Sequence, residues 1–182
     1  MRTLALLTLT FLTSACTTTH VLDVWKAEGA APLKRETKRV VVVSTMNPAR
    51  RDVAEAKLAE LINGVVLRGL FSPEELHNRD LVKQRLLEQG FQEVVVMRVV
   101  NVDEEVTRIR GPVWATWDMI DVPRSASSTR VDLLTTVYNL AEGQVVYQLD
   151  SRTFDPANVE DMLEEQVRVG VAKLRDEGML ID

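Results

Sequence analysis

The sequence predicts a single α/β domain with three helices and a mixed sheet of about five strands, in the order β-α-β-α-β-β-β-α. Continuous runs of β-branched residues, in "RVVVVST" (39–45) and "EVVVMRVV" (93–100), are typical of strands buried on both faces. The segments "TRVDLLTTVYNL" and "QVVYQLDSRTF" are separated by a glycine turn, which indicates an antiparallel hairpin. A strong helical stripe of apolar residues near the C-terminus supplies a helix to cover the sheet.

The elements follow one another along the chain with recognisable boundaries. After the first strand, Asn47 and Pro48 suit the N-cap and first position of a helix. A short strand, "VVLRGL", comes next, and "SPEE" (72–75) has capping-box spacing. Asp80 is the predicted cap of the second helix, and Asp155 with Pro156 begins the third. The predicted inward-facing residues of the first two helices are Val53, Ala54, Leu58, Leu61 and Ile62, then Val82, Leu86 and Leu87.

Composition narrows the possible function. Hydrophobic residues make up 46% of the 182 residues and charged residues 27%, which is globular composition. The net charge of −5 lacks the basic excess of nucleic-acid binders, and 5% aromatics is poor for base stacking. The single cysteine, Cys16, excludes an intramolecular disulfide and a multi-cysteine metal site.

The first 38 residues divide into two parts. Residues 1–15 have a positive start, an apolar stretch too short to span a membrane and small residues at the end, as in a secretory signal peptide. Residues 16–38 are mostly polar and predict a tether, in which Trp25 docks on the domain or contacts a partner. Residues 39–182 then form the α/β domain.

The leader resembles a bacterial lipoprotein signal, in which small residues precede an invariant cysteine. The resemblance implies that Cys16 carries a diacylglycerol with palmitate-type chains and becomes the mature N-terminus. Thr13 stands where the usual box prefers leucine. Cleavage by the ordinary signal peptidase near Ala15, leaving a bare thiol, is the alternative. By analogy with the lipoprotein sorting rule, Thr17 places the protein on the periplasmic face of the outer membrane.

Further motifs resemble those of a family of uncharacterised small bacterial lipoproteins. They are "CTTT" after the leader, Trp25-Lys26, "VVVVSTMNPARR", and "DSRTFDP" before the last helix. The order of elements is also similar to the N-terminal domain of TolB and to curli-secretion lipoproteins. This second resemblance concerns topology, which does not by itself imply a function.

The sequence contains no catalytic or cofactor motif. HExxH, GxSxG and glycine-rich phosphate loops are absent, and His20 and His77 are most simply surface residues. We therefore expect no enzyme activity, no metal and no cofactor. The best small-ligand candidate is the loop after the first strand, with Asn47, Arg50 and Arg51, because open α/β sheets often bind ligands at such strand ends. The alternative is that Asn47 only caps the helix and both arginines are solvated or pair with nearby acids.

A long loop, "RGPVWATWDMIDVPRSASS" (110–128), carries Trp114 and Trp117. Long loops are often functional, and tryptophan is favoured at protein interfaces; the alternative is that both rings cover an open end of the sheet. We expect a membrane-anchored, non-enzymatic envelope lipoprotein that binds another envelope component. A small-ligand-binding or transport-accessory role, using the Asn47 loop, is the second hypothesis.

Overall fold

The computed structural model describes residues 18–44, 48–108, 125–156 and 158–181. It confirms the α/β class, the three helices and the mixed sheet. The strands are β1 (Thr18–Lys26), β2 (Leu33–Lys34), β3 (Arg39–Ser44), β4 (Val65–Val66), β5 (Glu93–Arg108), β6 (Ser125–Asn139), β7 (Gln144–Phe154) and β8 (Leu180–Ile181). The helices are α1 (Pro48–Leu61), α2 (Arg79–Glu88) and α3 (Val159–Asp176), with short 3₁₀ helices at Leu67–Gly69 and Glu75–His77.

Six strands form the main sheet in the order β1-β7-β6-β5-β3-β4, and β2 pairs with β8 in a small parallel sheet. The β3, β4 and β5 pairings are parallel, as the two crossover helices require, whereas β5, β6, β7 and β1 form an antiparallel meander. The short second strand is only Val65–Val66, and the rest of "VVLRGL" turns into a 3₁₀ helix.

The first strand of the sheet lies inside the segment predicted to be a tether. Residues 18–26 pair with β7 in an antiparallel register that runs from Thr18 opposite Phe154 to Lys26 opposite Tyr147. The hydroxyls of Thr19 and Thr153 are 2.8 Å apart and buried. Of the segment 16–38, this part is therefore an edge strand, because β7 supplies a hydrogen-bonding partner that lies far away in the sequence.

Helices α1 and α3 cover one face of the sheet. Their core comprises Val41, Val43, Met97, Val131 and Leu133 from the strands, and Ala54, Leu58, Ala59, Met162 and Leu163 from the helices. Val53 is 44% exposed and Leu87 40% exposed, so their predicted burial is wrong. In α1 the reason is Glu55, a carboxylate that is only 2% exposed and takes a core-facing position.

Helix α2 packs on the opposite face, but only at one end. Its cluster contains Val40, Phe71, Leu86, Phe91 and Leu140. The helix is capped by Asn78, whose side chain accepts from the N–H of Leu81, rather than by Asp80 as predicted. Ser72 and Glu75 form the expected capping box. The backbone N–H of Ser72 donates to Oε2 of Glu75 at 2.9 Å, and the backbone N–H of Glu75 donates to Oγ of Ser72 at 3.3 Å.

The predicted cap at Asp155 is also displaced, to Asn158, which accepts from the N–H of Asp161 at 2.8 Å. Asp155 has another role, because its Oδ1 accepts from the N–H of Thr129 at 2.7 Å. Its backbone N–H also donates to the Thr129 carbonyl at 2.8 Å. These bonds fasten the end of β7 to β6, so the carboxylate is not available to start α3.

Strands β5 and β6 continue beyond the rest of the sheet as a two-stranded ribbon, residues 104–108 paired with 125–129. Among the described residues no third strand flanks these pairs: β3 ends opposite Arg98, and β7 ends opposite Arg130. The predicted loop 110–128 is therefore shorter than expected at its C-terminal end, where residues 125–128 are strand.

Candidate functional site

The predicted ligand loop lies at the carboxyl end of β3, where α1 begins. Asn47 is outside the described residues. Arg50 is exposed and Arg51 is partly buried, and both lie in the first turn of α1. The Nε of Arg51 is buried without an acceptor among the described residues. The nearby carboxylates of Asp52 and Glu55 bind a different partner.

That partner is Arg68, from the 3₁₀ helix after β4. Its Nε donates to Oε2 of Glu55 at 2.9 Å, and its Nη2 donates to Asp52 at 2.5 Å. Oε1 of Glu55 accepts from the backbone N–H of Val43 at 3.1 Å. Arg68 lowers the pKa of the Asp52 carboxyl, first by this hydrogen bond and then by its charge. Conversely, the hydrogen bonds to Glu55 and Asp52 raise the pKa of Arg68.

Asp52, Glu55 and Arg68 form a cluster at the edge of β3, beyond the two-residue strand β4. Val43 would otherwise present an unpaired N–H there, so Glu55 completes the strand's hydrogen bonding. Sequence reasoning missed Arg68, although a lone arginine within the apolar "VVLRGL" was the available signal. The small-ligand hypothesis for the Asn47 loop stays a prediction.

A second candidate is the sheet face opposite α1 and α3, beyond the part that α2 covers; we call it the open face. A depression of about 160 Å³ lies on it. Its lining residues are Val96, Arg98, Leu134, Thr136, Tyr138, Val145 and Gln148. Trp25, directly opposite Gln148 on the neighbouring strand, extends this surface and is 47% exposed. Cross-strand partners share a face, so the register alone brings these side chains together.

Two charged groups of the open face form an ion pair, whereas Asp23 and Asp150 occupy directly opposite positions on β1 and β7. Arg152 donates from Nε to Oδ1 of Asp132 at 2.6 Å and from Nη2 to Oδ2 at 3.1 Å. The hydrogen bond from Arg152, followed by its charge and that of Arg130, keeps the pKa of the Asp132 carboxyl below its usual value. His20 lies edge-on to Phe154, with ring centroids 6.1 Å apart. The face therefore combines apolar side chains with one ion pair and with two aspartates in cross-strand positions.

A third candidate, at the amino end of β3 and β5, is a shallow cavity of about 240 Å³ bordered by Leu33, Lys34, Gln92, Glu93 and Asn139 among others. Beneath it, Nε of Arg39 lies 3.0 Å from Oε2 of Glu93, and the Arg39 Nη2 donates to the carbonyl of Lys34 at 2.6 Å. Burial raises the pKa of Glu93, while the charge of Arg39 opposes this shift. The pair joins the small sheet to the main one.

Three other residues predicted from the sequence lie outside the described residues: Cys16, Trp114 and Trp117. His20 is exposed on β1, and Nδ1 of His77 lies 2.7 Å from the carbonyl of Pro73. Within the described residues, no group of three or more histidine, cysteine, aspartate or glutamate side chains could hold a metal ion. None of the helices in this part of the chain is both long and apolar enough to cross a membrane.

No protein-family model and no curated protein sequence matches the chain. Similar solved structures include a PelC dodecamer from Paraburkholderia phytofirmans, at 12% identity and a TM-score of 0.48, covering 81% of this chain and 91% of PelC. Lipoprotein GNA1162 from Neisseria meningitidis aligns at 13% identity and a TM-score of 0.38, covering 77% of this chain and 99% of that one. At this level of similarity, nothing about activity, assembly or partners transfers to this chain.

Proposed function

We propose that this protein is an envelope lipoprotein, anchored through a lipidated Cys16, that binds another envelope component without catalysing a reaction. The observation that carries the binding role is the open face, where a half-exposed tryptophan borders a part of the sheet that no helix covers among the described residues and that mixes apolar and polar side chains. The leader and its cysteine support the anchor, because residues 1–15 have the organisation of a lipoprotein signal. Thr17 after the cysteine favours the periplasmic face of the outer membrane.

The composition of the open face suits a protein partner. Tryptophan, tyrosine and arginine are enriched at interface centres, and Trp25, Tyr138 and Arg98 all belong to this face. The depression is smaller than the cavities of about 300–1,000 Å³ that usually hold small molecules. It is large enough for one inserted side chain. Asp132 and Arg152 neutralise each other, so a partner need not supply a charge to satisfy them.

Trp114 and Trp117 form the second part of the proposed interaction surface. They belong to the segment that joins the two strands of the ribbon. The ribbon carries the ends of this segment about 16 Å past the neighbouring strands, at roughly 3.3 Å per residue. Its ends therefore lie beyond the neighbouring strands β3 and β7.

The anchor is tested by mass spectrometry of the mature N-terminus from membranes. A triacylated or diacylated Cys16 is the expected species, and Cys16→Ser should release the protein from the membrane fraction. An unmodified N-terminus in protein that fractionates with soluble periplasmic contents would contradict the anchor.

Binding through the open face is tested by site-specific photo-crosslinking in cells. A photoreactive amino acid at Gln148 should form a defined adduct, whereas the same group at Ala56, exposed on α1, should not. Trp25→Ala should weaken the Gln148 adduct, and Val53→Ala is its matched control because Val53 is 44% exposed and Trp25 47%. Adducts of equal yield at both positions, or an adduct insensitive to Trp25→Ala, would contradict the assignment.

The two loop tryptophans are tested separately in the same cells. If they contribute, Trp114→Ala combined with Trp117→Ala should reduce partner recovery after cross-linking. Unchanged recovery would remove the loop from the proposed surface and leave the open face.

A further inference from the structure

The described residues begin with β1, two residues after Cys16. Thr18 is the first residue of β1 and pairs with Phe154 at the end of β7. A chain extends at most about 3.3–3.6 Å per residue, so the Cys16 α-carbon lies within about 7 Å of the Thr18 α-carbon. A long tether between a lipid on Cys16 and the domain is therefore not available while β1 is paired.

Strand β1 is held to the domain by side-chain hydrogen bonds as well as by its backbone pairing with β7. The Oγ1 of Thr19 lies 2.8 Å from that of Thr153, which accepts from Nε2 of Gln166 in α3 at 2.6 Å. The backbone N–H of Thr19 donates to Oε1 of Glu165 at 3.1 Å. Thr153 is fully buried and Gln166 is 3% exposed, so releasing this end of β1 would uncover polar groups that are now satisfied.

The ribbon leaves the domain past the row of the sheet in which β1 begins. Thr18 lies opposite Phe154, Phe154 opposite Arg130, and Arg130 opposite Asp103, so these four residues form one row across the sheet. The ribbon continues past this row beyond Asp103. Five residue pairs of ribbon extend about 16 Å, roughly twice the reach of the link to Cys16.

From the short link to Cys16 and the longer ribbon we infer that the row of Thr18 and Phe154 faces the lipid bilayer. The ribbon then reaches the lipid headgroups. The inference rests on the proposed lipidation of Cys16. The headgroup layer is about 5–7 Å thick on each side of the hydrocarbon core. A ribbon that follows the strand direction meets this layer, because it extends past the α-carbon of the anchored residue.

The residues at this end suit the interface rather than the hydrocarbon. The ribbon strands read "EEVTR" (104–108) and "SASST" (125–129), which are too polar for the bilayer centre. Phe154, in the row itself, is 39% exposed and offers an aromatic ring at headgroup level. The short link to Cys16 and the composition of this end of the sheet therefore both favour a lipid surface as its binding partner.

The test uses full-length, lipidated protein in vesicles that contain lipids with a nitroxide on the headgroup. Ser127→Cys and Thr107→Cys place a fluorescent label on the ribbon, and Glu142→Cys places it in the β6–β7 turn, about 30 Å from the row. Lipidated Cys16 has no free thiol, so each variant takes one label. Flotation is measured on the same samples, and only floated protein enters the comparison.

We expect the ribbon labels to lose fluorescence and the Glu142→Cys label to keep it. Inserting twelve glycine and serine residues after Thr17 adds an r.m.s. reach of about 19 Å. This insertion should restore the ribbon fluorescence without preventing flotation. Floated protein with equal quenching at both ends, or stronger quenching in the turn, would overturn the inference and leave the anchor intact; a ribbon that points away from the bilayer gives this result. Protein that neither floats nor carries lipid would instead overturn the proposed function.

Discussion

The buried carboxylate of Glu55 gives the most direct test of how the edge of β3 is completed. Glu55→Ala removes the acceptor of the Val43 N–H, which lies 3.1 Å from Oε1, and one partner of Arg68. Leaving a buried N–H unsatisfied costs about 1–3 kcal/mol. Losing one buried methylene group costs about 0.8 kcal/mol. The free energy of unfolding should therefore fall by about 2–4 kcal/mol.

Thermal and urea unfolding of the domain, produced from Thr17 onward and followed by circular dichroism, measure this change. For a domain of this length each kcal/mol shifts Tm by about 2–4 °C, so Glu55→Ala should lower Tm by about 4–16 °C. Glu55→Gln keeps an oxygen for Val43 and most of the volume, so its effect should be intermediate.

Asp52→Ala is the matched control, because Asp52 binds the same guanidinium of Arg68 but its side chain is 68% exposed. Its effect on Tm should be small, as for most exposed ion pairs. The reasoning fails if Glu55→Ala is no more destabilising than Asp52→Ala, because burial and the bond to Val43 would then contribute nothing.

Two further predictions follow from close packing and from charge. At Gly64 a Cβ would lie 2.7 Å from Cγ2 of the fully buried Val41, so Gly64→Ala should lower the free energy of unfolding by about 1–3 kcal/mol. Gly69→Ala, where no atom would lie within 4 Å, should be neutral or stabilising by up to about 1 kcal/mol; equal effects would contradict the packing argument. The lowered pKa of Asp132 means that its pair with Arg152 stabilises the fold above the unfolded-state pKa near 3.8, and that this stability is lost as the pH falls through the folded-state pKa. Asp132→Asn should therefore cost about 0.5 kcal/mol at pH 7 and progressively less below pH 4 in urea titrations, and a pH-independent difference would refute the charge assignment.

Local patterns were sufficient for most helices and strands. The β-branched runs of β3 and β5 and the apolar stripe of α3 are properties of short segments, so the sequence predicts them without knowing their neighbours. Cap positions were less predictable, because several polar residues near a helix start compete for the role. Asp155 binds Thr129 across the sheet instead of capping α3, and Asn158 takes its place.

The candidate surfaces depended on contacts between distant residues. Nothing local indicates that Arg68, rather than Arg50 or Arg51, binds Glu55, since that choice depends on where the 3₁₀ helix after β4 lies. The open face likewise exists only because α2 covers one end of the sheet and not the other.

The amino-acid sequence by itself determined the three helices and the central strands, because each is encoded within a short stretch of chain; the leader and the lipid on Cys16 stay predictions. Only the tertiary structure decided that residues 18–26 join the sheet, since their polar and apolar residues become a strand when β7 pairs with them. Thr19 meets Thr153 across 134 positions of sequence, and no local pattern reports such a contact. That pairing turns an expected tether into an edge strand and leaves only Thr17 between Cys16 and β1.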